Sequence, residues 1–420
     1  MLKKVGLVAV LAALISVVVA TTAWGSGKAP RSAAAATASV KCGKQVSIGV
    51  AYPATGGVAF LGASQFPWAE YALKRWNKSH KLKIKLVQGD TQLTTNAAAN
   101  LAVAHSFASN GKILAVTGPA GSQEVQDSDG NGSAPIYASA QLAPVSGSAT
   151  RIYLTRARLD SLKGTFTPRE TPTGFFYRTV PNDGQQGDAV ANYIHKNLKK
   201  THVYIIDDEE AYSQGLADQV QAGLRSDGVK AGRNHVAQNV NDFSSLIASI
   251  PKNTQLVYIP WQQAAEAQTF SQQLKANGSG SAKNAIVMGS DGIDAPGQFE
   301  ASGAYVSGFP VDATSSAYKA FVKAHGGKPM TFGLPTYTSV WVNATAIQMA
   351  CKAGHGKTTR TAVRKDLLKV KLSAKQSLLG FPVQFLKKNK GSFQGPGDMG
   401  GSADFAIYHI SNSGAYVRVK

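Results

Sequence analysis

Short apolar runs alternate with helix-spaced runs twice over along this chain, and that alternation restricts the fold more than any other feature. Val46 to Ala51 is a strand-like run, followed by a Gly/Pro/Thr loop at 52–57 and helical spacing from Phe66 to Asn77, with Ala69, Leu73 and Trp76 on one side. Leu82 to Val87 alternates with lysines as a half-exposed strand, and Ala97 to Ala108 is an alanine-rich helix. Ile113 to Thr117 is a third strand. Ala134 to Ala138 reads as a further short strand that leads into a polar loop at 144–150. Residues 156 to 174 break the pattern as an exposed loop, and Phe175 to Val180 resumes as a strand.

A second series starts at Asp183, with strands expected at His202–Asp207, Val229–Val236, Leu256–Pro260 and Ala285–Met288 and helices between them. Elements near Tyr305–Val311, Ser315–His325, Thr336–Lys352, Arg360–Lys369, Gly380–Phe385 and Asp404–Ile410 close the chain. Such alternation, with short polar connections, is what parallel sheets covered on both faces require. Open sheets of this kind bind ligands beyond the C-terminal ends of their strands. Loops 52–57, 118–122, 144–150, 208–212 and 289–292 all fall there, so two such sheets facing each other would enclose a cleft.

The stretch ILAVTGPAGSQEVQ, Ile113 to Gln126, is the sharpest of these strand ends. Gly118-Pro119-Ala120-Gly121 breaks the strand, and a helix is expected to start at Ser122 as its N-cap, with no Gly or Pro until Gly130. Free N–H groups, a positive dipole end and a hydroxyl suit a carboxylate or phosphate. Read alone, the same residues are a helix cap after a tight turn.

With 420 residues, 43% hydrophobic and 16% charged, the chain suits two globular domains. Lys3 and Lys4 precede an apolar run from Val5 to Ala20, and Thr21-Thr22-Ala23 offers a cleavage site, so residues 1–23 are expected to be a secretory signal peptide. Residues 24–43, with Ala33 to Ala36 in a row, read as a flexible tether. The expected location is extracytoplasmic: the periplasm or the outer face of the cell membrane. No later segment is apolar for long enough to span a bilayer. Cys42 follows Lys41 rather than a small residue, which argues against a lipid anchor. Export permits a disulfide between Cys42 and Cys351; two free thiols are the alternative, and the bridge is the expectation carried forward. The formal charge is +20, yet Lys and Arg are scattered and no aromatics interleave with the densest cluster, Lys387-Lys388-Asn389-Lys390. That pattern fits solvated faces or an anionic surface rather than nucleic acid.

The order and spacing of several motifs resemble the type I periplasmic binding proteins, specifically the branched-chain amino acid (Leu/Ile/Val) binding proteins of ABC transporters. The motifs are IGVAYPATGGVAFLG, GDTQLTTNAAANLAVA, VTGPAGS, RTVPNDGQQGDAVANYI, IIDDEEAYSQGLADQVQAGL, DFSSLI and VMGSDG, and the likeness spans roughly residues 45–420. It implies two Rossmann-like lobes joined by three hinge crossings, with residues 44–178 plus 312–377 in one and 180–310 plus 378–420 in the other. It also implies a site for an amino acid, closed by lobe movement. Ser122 would hold the ligand carboxylate, with Ala120 beside it. Ser148 and Thr150 would supply a carbonyl and a hydroxyl, and Asp291, where a glutamate is common, would meet the ammonium. Tyr212, Trp261, Gln262 and Phe332 would line the pocket, and Leu61 stands where a tyrosine is expected.

Two departures bear on the ligand. Gly121 replaces a cysteine that some members carry, and Tyr258-Ile259-Pro260-Trp261-Gln262-Gln263 replaces a VYYGGY-like stretch. The implied function is the solute-binding component of an ABC importer: a monomer that works with a membrane permease, needs no cofactor and performs no catalysis. Binding of an amide, urea or aromatic acid, or ligand sensing uncoupled from transport, are the alternatives. An enzyme finds little support. Cys351 to Thr358 resembles a phosphate loop only in part and follows a helix, no G-x-S-x-G occurs, and the histidines show no metal-ligand pairing.

Overall fold

The computed structural model describes residues 38–43, 46–93, 97–126, 132–160, 165–310, 314–325, 331–400 and 405–420. The expected signal peptide and most of the expected tether lie outside the described residues. Five strands form an all-parallel sheet in the order Lys85–Asp90, Ser47–Tyr52, Ile113–Thr117, Pro144–Ser146 and Tyr177–Arg178. Side chains alternate across a strand, and the central strand shows the consequence. Ile48, Val50 and Tyr52 join the core under helices Ala59–Ser79 and Gly333–Ala353, whereas Ala51 joins the core of the opposite face, with Phe107 and Tyr137. Gly49 lies on that second face, where a Cβ would stand 2.6 Å from the Phe107 ring.

The second sheet has seven strands. Lys230–His235, His202–Asp207, Leu256–Ile259, Ile286–Gly289 and Tyr305–Gly308 run parallel, and Ala406–Ile410 and Tyr416–Arg418 add an antiparallel edge. The same alternation divides its cores, with Tyr204, Ile206, Val257 and Ile259 on one face and Val203, Ile205, Leu256 and Tyr258 on the other.

Several expectations need correction. Ala134–Ser139 is a helix, not a strand, with Pro135 in its first turn, where the missing N–H is harmless; the strand is Pro144–Ser146, at the start of the expected loop. The first helix begins at Ala59, so Pro67 lies inside it and Leu61 is helical. Residues 156–174 hold a small hairpin, Arg158–Asp160 against Thr165–Thr167. Gly380–Phe385 is not a strand and makes only isolated bridges, Leu372 with Val383 and Phe385 with Met399. Leu378, Val383, Phe385 and Met399, expected on the second lobe, pack into the first lobe's core.

Three long-range ties hold the chain's late segments in place. Cys42 and Cys351 are disulfide-bonded, and the short strand Val40–Lys41 pairs with Lys357–Thr358 beside them. Arg360 is fully buried, with no carboxylate partner among the described residues. Its guanidinium donates to the carbonyls of Phe107, Ala108, Asn110, Ile113 and Ala140, which include free carbonyls at helix C-termini. Arg178, on the last strand of the first sheet, donates to Asp398 Oδ1 at 2.6 Å. Asp398 also accepts from Thr155, Asn182 and the Gly395 N–H, so this buried ion pair is saturated with hydrogen bonds. Among the described residues no helix is long and apolar enough to cross a membrane.

Candidate functional site

The strand-end loops of the two sheets meet. Gln123 Nε2 donates to Gln262 Oε1 at 2.7 Å, and Arg151 Nη1 donates to the Ala211 carbonyl at 2.7 Å. The Asp183 N–H donates to the Thr150 carbonyl at 2.9 Å. These contacts join the loops after Ile113–Thr117 and Pro144–Ser146 to the loops of the second lobe.

On the first side the backbone is fixed by its own polar groups. Ser146 Oγ donates to the Pro119 carbonyl and accepts the N–H groups of Ser148 and Ala149. Ser148 Oγ donates to the Ala120 carbonyl and accepts from Gln65 Nε2, both at 2.8 Å. Ser122 is buried, but it is not the N-cap. Gly121 holds that position in extended conformation, and the helix runs only from Ser122 to Val125. The cause is Glu124, whose Oε2 accepts the N–H groups of Ala120 (3.1 Å) and Gly121 (2.9 Å). Ser122 Oγ is left to accept the Arg151 N–H at 3.2 Å. Burial pushes the Glu124 carboxyl up to about 7, with these hydrogen bonds opposing. Both backbone groups of Ala120 are therefore engaged internally, and Glu124 already takes the turn's amide donors.

On the second side, Tyr212 opens the Ala211–Ser226 helix and Asp291 follows the Ile286–Gly289 strand. Tyr212 OH donates to Asp291 Oδ1 at 2.6 Å, stands 2.7 Å from Ser290 Oγ and accepts the Gly292 N–H. Burial pushes the Asp291 carboxyl up to about 6 and the Tyr212 phenol well above its ordinary value. Gln262 is tied to Asp208 through its N–H and to Gln123 through its side chain. Trp261 stacks on Phe243 and donates its indole N–H to the Ile206 carbonyl, so its ring belongs to the second lobe's core. Leu61 and Phe332 are buried in the same apolar cluster as that core, with Phe60 and Leu93.

Ser122, Ser148 and Thr150 are thus gathered on one side, and Tyr212, Asp291 and Gln262 on the other. Four participants escaped the sequence reading: Gln123, Glu124, Arg151 and Asp183. Arg151 follows Thr150 directly, and Asp183 lies within the motif RTVPNDGQQG, so their positions were the available signal.

Fold and site together define a two-lobed α/β protein with polar loops converging between the lobes. A family model described as periplasmic binding protein matches residues 45–399, and the chain belongs to that family. The Leu/Ile/Val-binding protein homolog 1 of Brucella abortus is 28% identical over 214 residues, covering 49% of this chain and 50% of that protein. The leucine-specific-binding protein of Salmonella typhimurium is 29% identical over 221 residues, covering 49% of this chain and 56% of that protein. The chain thus spans about half the length of these curated relatives. In fold it is similar to the leucine-binding protein LivK of Thermotoga maritima, with a TM-score of 0.70 at 21% identity, covering 89% of this chain and 98% of that one. It is also similar to a solute-binding protein of R. palustris in complex with benzoate, with a TM-score of 0.67 at 14% identity and coverage of 89% and 95%.

Proposed function

We propose that this protein is the extracytoplasmic solute-binding component of an ABC importer, which captures a small amino acid between its lobes and presents it to a membrane permease. The observation that carries this reading is the opposition of two chemistries across the cleft. The hydroxyls of Ser122 and Thr150 gather on one side, and a buried carboxylate, Asp291, stands on the other side with Tyr212. A zwitterion needs that pairing: donors for its carboxylate, and a carbonyl, hydroxyl and carboxylate for its ammonium. Leu61 and Phe332 offer apolar surface for an aliphatic side chain. The branched-chain specificity, the monomeric state, the lobe crossings at 178–180 and 310–312, and the export of the chain belong to the same proposal, supported by the names and folds of its relatives.

A thermal-shift screen of amino acids, amides and aromatic acids tests it. An amino acid, branched-chain ones first, should raise the melting temperature in a concentration-dependent way. A shift with benzoate-like acids alone would replace the amino-acid reading with an aromatic-acid one.

A further inference from the structure

Between Cys351 and Gln376 the sequence carries a single acidic residue, Asp366, among its lysines and arginines. Both arginines of the Arg360–Leu367 helix are spent inward: Arg360 on backbone carbonyls, and Arg364 on Gln141 Oε1 and the Phe175 ring, whose centre is 4.2 Å away. The lysines behave differently. Lys357, Lys365 and Lys369 are exposed and rim a groove of about 460 Å³, with Ala350 and Ala353 in its wall. Asp366 also lines the groove, and it is paired with Lys369 at 2.7 Å.

A fourth lysine joins them across a strand pair. Val40–Lys41 runs antiparallel to Lys357–Thr358, with Val40 opposite Thr358 and Lys41 opposite Lys357. Residues directly opposite each other share a face of the ladder. Thr358 is buried and Val40 packs against the first lobe's core, so Lys41 and Lys357 stand together on the outer face. Like charges in that position destabilise a strand pair, and among the described residues no carboxylate pairs with Lys41, Lys357 or Lys365. This face lies at the opposite end of the first lobe from the cleft. Arg360 holds the carbonyls of Asn110 and Ile113, at the start of the strand whose far end leads to Ser122. The chain enters the described fold here too, with Ser39 lining the groove. Cys42 is sealed in its disulfide, so its sulfur carries no lipid.

We propose that this face is a docking surface for an anionic phospholipid bilayer, which holds the first lobe against the membrane by charge and leaves the cleft turned away, open to solute. Three observations together point to that occupant. The lysines lack internal counterions and suit phosphate, the small apolar wall admits the glycerol carbons of a headgroup, and the segment with the apolar run Val5–Ala20 joins the fold at this face. Each lysine close to an anionic leaflet adds attraction, which fades within a Debye length. The inference rests on the proposed export for the leaflet it meets, and it is independent of which solute the cleft holds.

The test is co-sedimentation of the chain without residues 1–23, the expected signal peptide, with vesicles of phosphatidylcholine alone or with about one third phosphatidylglycerol. At low salt the protein should bind the anionic vesicles and not the neutral ones, and about 0.5 M NaCl should release it. Lys41→Glu, Lys357→Glu and Lys365→Glu together should weaken binding by at least about a hundredfold. Lys387→Glu, Lys388→Glu and Lys390→Glu make the same charge change in the densest cluster of the sequence, and should weaken it by no more than about fivefold. No binding to anionic vesicles, equal binding to neutral ones, or equal losses in the two triple variants would overturn the inference, while leaving the solute-binding and export proposals standing. Should the first triple variant not fold by circular dichroism, Lys41→Gln, Lys357→Gln and Lys365→Gln together take its place. A loss of about a hundredfold is then expected, and unchanged binding overturns the proposal.

Discussion

Two sites of buried charge in this protein are built on opposite plans. At the last strand of the first sheet, Arg178 and Asp398 form a deeply buried ion pair, and Asp398 takes Arg178, Thr155, Asn182 and the Gly395 N–H. In the cleft, Asp183 and Asp291 are equally buried and carry like charge; Tyr212 donates to Asp291, and Asp183 has the Thr150 hydroxyl beside it. The first plan fixes structure, because removing either partner strands a charge. The second sets two like charges near each other, with no ion pair to either among the described residues. Burial alone therefore does not distinguish the two sites; what differs is whether a cation is paired to the carboxylate.

The largest expected effect breaks the ion-pair side of this comparison. Arg178→Ala should destabilise the fold by about 3–5 kcal/mol, by leaving Asp398 buried and unpaired, measured by urea denaturation. A loss of under about 1 kcal/mol would mean that the pair behaves like a surface salt bridge. On the cleft side, Asp291→Asn should weaken amino-acid binding by about ten- to a hundredfold, as loss of one charge-assisted bond implies. The ligand-free melting temperature should hold or rise, because an unfavourable buried charge is gone; a large fall would place Asp291 with the structural charges.

The pH dependence of stability sharpens the contrast. Burial raises the carboxyls of Asp183 and Asp291 in the fold, up to about 7 and about 6, so between pH 4 and 7 the native state holds protons that the unfolded chain has released. Their contribution to stability therefore falls as pH rises through that window. The ligand-free protein should melt at lower temperature at pH 8 than at pH 5, with a shallower slope in Asp183→Asn and in the ligand-bound protein. A slope identical in all three would show that these carboxyls do not titrate in the window. The smallest effect is that of Ser122→Ala, a neutral hydroxyl on the first side. It should weaken binding by about fivefold, roughly 1 kcal/mol, without unfolding the first lobe. Global unfolding, seen by circular dichroism, would make the serine's bond to Arg151 structural.

The architecture was legible because the central strands of both sheets are parallel and buried, so they read as short apolar runs with polar loops at the productive ends. The disulfide was legible from the expectation of export and the two cysteines. Ala134–Ser139 was misread because a six-residue apolar segment suits either a strand or a helix turn, and only Pro135 favours the helix. Gly121 displaced Ser122 as the cap through a tertiary accident of local sequence: Glu124 reaches back to the turn's amides. The packing of 378–399 on the first core had no sequence signal, since Val383 and Phe385 carry no address. Asp183 was hidden most thoroughly. After Asn182, which caps the helix by accepting from Gly184 and Gln185, an aspartate looks like an ordinary first-turn acid. Its burial near Asp291, with Arg151 and Arg178 both bonded elsewhere, is visible only in the fold.

The bridge from Cys42 to Cys351 has a mechanical consequence. Force arriving along the chain ahead of Val40 enters the long Gly333–Ala353 helix, the spine of the first lobe, before it can reach the first strand of the sheet. A leash attached there would load the first lobe and leave the second unburdened. In lobe closure of the kind proposed, the first lobe is the stator and the second the rotor, so the protein could be moored without having its jaw held.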